Sequence, residues 1–357
     1  MRTIWLKENS WGFSLQRMRE LWQRHGPSVR RHITLPRLGN AALLAVEMGL
    51  RRTRTHSRPL VTKIEPTNLC NFQCPGCRTG SGEDKSPRGQ IAWDDFQKIV
   101  DRTYKHSFKL ILYMWGEPFI NKNIYRMIEY AAAKNLGVQI STNLNVFRPE
   151  VDAPKVVASG LEHMIVALDG ITQDVYEKYR VGGKVDKVIN GVAAILGERA
   201  RAGKRFPFVE LQFIVFPHNR HQIEEVEALA HRLGVDRLTF IESKSREEAM
   251  VENGKPVLPE KCHALWTMAC FNWDGSFSPC CDSVDDSFGN VLTEDFGSLL
   301  NSPKIQAARS LMSSQPQAGP PSKCQRCRIY HGYVTFLPEE RSPAADLVTI
   351  ASSAAPI

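Results

Sequence analysis

The sequence predicts an α/β fold built on a parallel sheet, followed by a smaller region of different rhythm. Two observations carry this. From about residue 60, six short apolar and β-branched runs alternate with five segments whose apolar residues recur at helical spacing. After about residue 243 that alternation stops, and an Asp-Gly turn between short alternating runs takes its place. Continuous apolar strands joined by helices imply a sheet covered by those helices. Right-handed crossovers then curl it into an open barrel or leave a doubly wound sheet. Either arrangement puts ligands at the C-terminal ends of the strands.

The strands are expected at Leu60–Glu65, Lys109–Met114, Val138–Thr142, His163–Leu168, Glu210–Phe216 and Arg237–Glu242. Helical spacing marks Asp94–His106, Ile124–Lys134, Asp152–Ser159, Asp186–Arg201 and His221–Leu233. Several strands run into a polar or Gly/Pro turn before the next helix. Beyond 243, Trp273-Asp274-Gly275-Ser276 signals a hairpin between Cys262 and Cys281. A helical stretch follows near Leu299–Met312, then a Pro-rich link leading to Cys324 and Cys327. The divisions are therefore a basic extension over 1–58, a core over 59–243, a small α+β hairpin-helix domain over 244–336, and a disordered tail over 337–357.

Composition is that of a soluble globular chain: 42% hydrophobic and 24% charged residues over 357 positions. No apolar run reaches the roughly 18 residues needed to span a bilayer. The start, MRTIWLKENSWGF, lacks the apolar region of a secretory signal. A cytoplasmic location is expected, where clustered thiols serve as metal ligands more often than as disulfides. The net charge of +8 is uneven: residues 1–58 hold twelve Arg/Lys against three Asp/Glu, and the remainder holds 34 against 35. Such an arm either packs on the outside as a solvated extension or touches nucleic acid, an acidic partner or an anionic membrane surface. Ala41–Leu50, followed by Arg51, Arg52 and Arg54, has the composition to lie on a membrane surface, with Glu47 interrupting it.

Nine cysteines carry most of the chemical signal. Three fall in CNFQCPGC, spaced CxxxCxxC at Cys70, Cys74 and Cys77, just past the first strand. Structural zinc wants four protein ligands, and no fourth Cys or His lies nearby in sequence. A cubane iron–sulfur cluster held by three thiolates leaves one iron open, and an open coordination position marks a catalytic site. Cys262, Cys270, Cys280, Cys281, Cys324 and Cys327 form a second group. Spacing alone leaves zinc and iron–sulfur open there, and one of the adjacent Cys280 and Cys281 is spare.

CxxxCxxC directly after the first strand of a βα repeat resembles the radical S-adenosylmethionine (SAM) superfamily. The resemblance implies a partial (βα)6 TIM-like barrel, with Cys70, Cys74 and Cys77 holding a [4Fe–4S] cluster whose open iron binds SAM. Trp115-Gly116-Glu117-Pro118 looks like the family's GGEP motif, implying that Gly116, Glu117 and Pro118 receive the SAM ammonium group. Ser141-Thr142-Asn143 resembles the polar triplet that contacts SAM. Ala167-Leu168-Asp169-Gly170 resembles S-x-D-G with the hydroxyl lost, and Arg180 in RVGG is similar to an arginine that pairs with the SAM carboxylate. Asn219 stands where an adenosine contact is expected. Gly76 departs from the aromatic residue often found beside the last cysteine.

The second group resembles the SPASM auxiliary domain, in its shortened twitch form. The resemblance implies that Cys262, Cys280, Cys324 and Cys327 ligate one auxiliary [4Fe–4S] cluster, leaving Cys270 and Cys281 over. This layout is similar to that of a radical SAM alcohol dehydrogenase of aminoglycoside biosynthesis. A radical SAM enzyme cleaves SAM reductively to a 5′-deoxyadenosyl radical, and an auxiliary cluster with four cysteines suits electron acceptance. The expectation is therefore a net oxidation of a small molecule such as a sugar or cyclitol, with flavodoxin or ferredoxin as electron donor. A maturase acting on a peptide or protein is the second reading. A non-enzymatic, zinc-stabilised binding protein is the third.

Overall fold

The computed structural model describes residues 1–6, 26, 28–82, 84–243, 251–252, 255–256, 262–313 and 316–326. A nine-stranded sheet organises them, in the order β1-β7-β6-β5-β4-β3-β2-β10-β11. The strands of the core are β2 (Val61–Ile64), β3 (Lys109–Ile111), β4 (Gly137–Thr142), β5 (His163–Ala167), β6 (Phe208–Val215) and β7 (Arg237–Glu242). All six pair in parallel with their sequence neighbours. The helices α2 (Trp93–Thr103), α3 (Ile124–Ala133), α4 (Pro149–Ala158), α6 (Val185–Arg201) and α7 (Ile223–Leu233) connect them, with a short α5 (Gln173–Tyr176) ahead of α6. This is the open α/β barrel that the resemblance implies.

Local chemistry explains the boundaries. Helix α6 buries Val185, Val188, Val192, Ile195 and Leu196, one stripe at helical spacing. Pro149 opens α4, where its missing N–H costs nothing, and Asp152 accepts the Arg148 N–H at 2.7 Å. Helix α7 stops at Gly234, whose φ of +72° suits glycine. Asp94 and Asp95 open α2 and Arg102 closes it, each complementing the helix dipole.

The sheet differs from expectation in three ways. First, the strands are not uniformly apolar. Leu110, Val138, Ile140, Met164, Val166, Leu211 and Leu238 share one face and join the helix side chains in the core. Because strand side chains alternate, the other face carries Lys63, Gln139, His163, Glu210 and Thr239, all buried. Glu210 binds this layer together: it accepts from His163 Nε2 at 2.9 Å, Arg237 Nη1 at 3.3 Å and Thr239 Oγ1 at 2.7 Å.

Second, the sheet continues past both ends of the core. At one edge β1 (Arg2–Leu6), in the basic extension, pairs in parallel with β7. At the other, β10 (Met268–Phe271) pairs in parallel with β2, and β11 (Phe277–Ser278) turns back antiparallel. The Asp-Gly hairpin is thus present, and it extends the core sheet. A separate two-stranded ladder joins β8 (Val251–Glu252) and β9 (Lys255–Pro256). The stretch expected near 299–312 is two helices, α9 (Phe296–Leu299) and α10 (Pro303–Ser310), preceded by the short α8 (Ala264–Thr267).

Third, the basic extension is not simply solvated. Helix α1 (Leu35–Gly49) buries Arg37, which donates to the carbonyls of His32 (2.7 Å), Asn135 (2.6 Å) and Tyr104 (2.8 Å). Glu47, also buried, accepts from the His56 and Ser57 N–H groups and the Ser57 hydroxyl. Cys327 and the segment 337–357 lie outside the described residues.

Candidate active site

The residues picked out in the core converge at the C-terminal ends of β2 to β6. Cys70, Cys74 and Cys77 sit on the loop after β2, and the structure pins that loop from several sides. Thr67 Oγ1 donates to Gly89 O at 2.7 Å, Asn68 bonds Pro87 O and Gly89 N, and Gln73 N reaches Val181 O at 3.0 Å. Glu117 N donates to Leu69 O at 2.8 Å. A Cβ on Gly116 would lie 2.0 Å from Thr67 O, so only glycine lets these two strand ends approach so closely. Gly76, with φ of +72°, supplies the left-handed residue inside the cysteine loop.

All three thiols are free, Cys74 buried and the other two half-buried. Burial pushes the Cys70 thiol up to about 11, with the Cys74 and Cys77 sulfurs adding to the rise. Burial raises Cys74 as well, against the opposing pull of Arg180. Among the described residues no three metal-ligating side chains stand close enough to hold one ion. A polynuclear cluster, whose corner ligands each take a different iron, does not require the three sulfurs to share one ion. Mutual electrostatic interaction of the three sulfurs, their freedom from disulfides and their common loop all fit it too.

Around the loop, the motif residues hold each other. Glu117 is fully buried, its carboxylate accepting from Thr142 Oγ1 (2.7 Å), Asn143 N (2.8 Å) and Phe119 N (3.2 Å). Burial pushes that carboxyl up to about 7 against the hydrogen bonds that favour its charge. Glu117 therefore braces the ends of β3 and β4, with Pro118 buried in the following turn. Asn143 donates to Asn71 Oδ1 at 2.9 Å and lies 3.9 Å from Cys70 Sγ. Ser141 is half-buried on β4.

Asp169 is completely buried and bridges two elements: it accepts from Arg180 Nε at 2.5 Å and from Ile214 N at 2.6 Å. Burial works against the Arg180 charge, and Asp169 with the Cys74 sulfur more than offsets it, so the guanidinium stays charged. Arg180 Nη1 also stands 3.9 Å from Cys74 Sγ. Asn219 is buried with its amide spent on Asp169 O, Ile214 O and Phe216 N. Its side chain supports the strand end.

Sequence reasoning missed the polar group beneath this rim. Lys63 is buried beside the Tyr113 ring, 4.8 Å from its centroid, and Tyr113 receives Gln139 Nε2 at 3.0 Å. Burial opposes the Lys63 charge, but Cys281, Tyr113 and Cys270 more than offset it and hold its pKa above the ordinary range. Burial pushes Glu65 up to about 7, against the Trp115 N–H that favours ionisation. Gln139 Oε1 is buried without a donor among the described residues. The available signal was the alternation within GVQIS, where Gln139 stands on the face opposite Val138 and Ile140; VTKIE shows no such alternation.

The second cysteine group adjoins this layer. Cys270 is buried on β10 opposite Lys63, and burial with the nearby Cys281 sulfur raises its thiol well above the ordinary value. Cys280 begins a 3₁₀ turn, its sulfur 3.4 Å from Ser283 Oγ, and burial with Asp282 and Cys281 raises its thiol far above the ordinary value. Cys324 lies in a turn tied to the same loop: Lys323 N donates to Asp286 Oδ2 at 2.5 Å. Cys262 N contacts Met312 Sδ at 3.2 Å. Trp115 joins the two cysteine regions, donating from Nε1 to Cys281 O at 3.0 Å. Arg78 Nη1 adds an ion pair to Asp285 at 3.1 Å.

An open parallel barrel with three clustered thiols at its mouth, and more thiols on an adjoining hairpin, defines a class of iron–sulfur protein. The comparisons agree: residues 64–230 match the Radical SAM superfamily, and residues 262–328 match SPASM, an iron–sulfur cluster-binding domain. The chain is a radical SAM protein with a SPASM domain. Such a protein takes SAM, a [4Fe–4S] cluster and auxiliary iron–sulfur clusters. Among curated relatives, mycofactocin maturase MftC of Mycobacterium ulcerans is 27% identical over 216 residues, 60% of this chain and 54% of that protein. The AdoMet-dependent heme synthase of Nitratidesulfovibrio vulgaris is 26% identical over 171 residues, 48% of this chain and 44% of that protein. The chain thus spans about half the length of the curated relatives it matches. Among solved structures, Streptococcus suis SuiB bound to precursor peptide SuiA superposes with a TM-score of 0.59 at 14% identity, covering 83% of this chain and 75% of SuiB. SuiB bound to S-adenosylmethionine gives 0.60 at 15% identity, covering 89% and 82%.

Proposed function

We propose that this radical SAM protein is a maturase that modifies a peptide or protein. The observation that carries this reading over the sugar or cyclitol oxidation is the identity of the first curated relatives, which are mycofactocin maturases from several mycobacteria. SuiB, whose fold this chain shares, has been solved with a precursor peptide. The match of residues 262–328 to an iron–sulfur domain favours iron–sulfur over zinc at the second site.

Cys70, Cys74 and Cys77 would hold the first cluster, and Cys262, Cys280, Cys324 and Cys327 an auxiliary one. When bound, the first cluster and SAM supply a radical that takes hydrogen from an unactivated C–H bond. The chain positions and shields. Arg180, held by Asp169 beside Cys74, offers a fixed cation for a carboxylate at the barrel mouth. Asn143 is oriented by Glu117 and Asn71 to face the same loop. Below, Lys63 and the Gln139 carbonyl give a substrate polar groups to bind in a layer closed to bulk water. Glu65, with a pKa near neutrality, is suited to accept a proton there. That buried polar layer is also what favours the second reading, oxidation of a small hydroxylated molecule.

The test is anaerobic turnover with SAM, a reductant and short peptides encoded beside the gene. A peptide mass change accompanied by 5′-deoxyadenosine supports the maturase reading. Unchanged peptides, with deuterium passing into 5′-deoxyadenosine only from labelled sugars or cyclitols, would overturn it.

A further inference from the structure

Helix α1 carries its polarity inside out. Its two charged residues, Arg37 and Glu47, are buried against the barrel and its neighbouring loop. Its outward half is wholly apolar: Leu35 is 86% exposed, Leu38 45%, Leu43 42%, Val46 58%, and Leu50, just past its end, 64%. Gly39, Ala42, Ala45 and Gly49 fill the gaps between them. A helix on the surface of a water-soluble domain shows the reverse pattern. Large apolar side chains gathered in one exposed stripe mark a docking surface, unlike the scattered ones that are normal.

The charge around the stripe identifies the occupant. Residues 28–58 contain seven arginines and a single acid, the buried Glu47. Arg30 and Arg31 precede the helix, Arg52 and Arg54 follow it, and all four are exposed. An apolar face flanked in sequence by cations, of which Arg31 also pairs with Glu162, and with no exposed acid in the segment, complements an anionic lipid surface. A second copy docked through the same face would set arginine against arginine. The helix has 15 residues, about 22 Å, too short to cross a hydrocarbon core. We propose that α1 lies in the headgroup layer of an anionic membrane, with its apolar side chains in the lipid and the barrel on the water side.

The test uses the full chain, purified anaerobically with its clusters, and vesicles of phosphatidylcholine with or without phosphatidylglycerol. Sedimentation with the anionic vesicles is expected, weakening as salt rises. Leu38→Glu combined with Val46→Glu should lower the partition coefficient at least about tenfold. Arg52→Gln combined with Arg54→Gln should bring binding towards the level on neutral vesicles. Iron content and 5′-deoxyadenosine formation should be unchanged in both variants. Equal binding by the glutamate variant would show attraction by charge elsewhere and overturn the proposal. So would failure to bind either vesicle, as expected if a second copy covers the face. The second copy would show as a concentration-dependent dimer that the glutamate variant breaks.

Discussion

Glu65 shows how burial alone can make one side chain pH-sensitive. Its carboxyl moves from 4.5 in an unfolded chain to about 7 in the fold, burial being the largest cause. A folded pKa above the unfolded one means the native state holds the proton more tightly, so this group favours folding at low pH. That contribution is complete below about 4.5 and is lost as pH rises towards 7. Replacing Glu65 with Gln, which mimics the protonated form, should leave stability near pH 5 close to wild type and raise it above pH 7. The ceiling on that gain is roughly 3 kcal/mol. Urea unfolding under anaerobic conditions from pH 5 to 8 measures it, and parallel curves at every pH would refute it. Gly116 sets a different constraint. Ala at this position must push the ends of β2 and β3 apart, because its Cβ would meet Thr67 O at 2.0 Å. Gly116→Ala should lower iron bound at the three-cysteine loop while circular dichroism stays native, and full iron content would show that the loop tolerates the shift.

At the scale of elements, α1 is held by hydrogen bonds more than by apolar burial. Arg37 satisfies carbonyls at Asn135 and Tyr104, where α3 and α2 end, so it fastens α1 across the ends of two barrel helices. Arg37→Met strands these acceptors and is expected to cost about 3 kcal/mol in denaturant unfolding. 5′-Deoxyadenosine formation should survive in the variant below the transition, and an unchanged midpoint would contradict the role. Elements differ in how far their sequence betrays them. The helices and strands of 60–243 are legible because their apolar spacing reports burial, and that burial is real for Ile140, Val166 and Val192. Strand β1 is illegible: RTIWL has no alternation, and only pairing with β7 makes it a strand. Arg37 is illegible for a related reason, since a lone arginine on a short amphipathic stretch reads as surface until its carbonyl partners are in place. The cysteines and Asp169–Arg180 lie in motifs that announce themselves, whereas Lys63 and Gln139 are single polar residues inside strands read as apolar. Their meaning depends on which face turns inward, and only the register supplies that.

For the molecule as a whole, the arrangement predicts two cysteine sites that depend on each other for turnover and separately for assembly. The first loop is braced by Thr67, Asn68 and Glu117, all within the barrel. The Cys324 turn is held by Asp286 on its own side, while Trp115–Cys281, Arg78–Asp285 and the β2–β10 ladder link the two regions. Damage at one site should therefore leave the other folded. Changing Cys70, Cys74 and Cys77 together to Ala should abolish 5′-deoxyadenosine formation and retain about half the iron. Changing Cys324 to Ala should do the opposite: SAM cleavage persists and substrate turnover collapses. Iron analysis with product and 5′-deoxyadenosine quantified in the same reactions separates the two outcomes. If 5′-deoxyadenosine still forms in the triple variant, the three cysteines are not the ligands of the SAM cluster. If the Cys324 variant turns over normally, the second site is structural, and the chemistry belongs to the barrel alone.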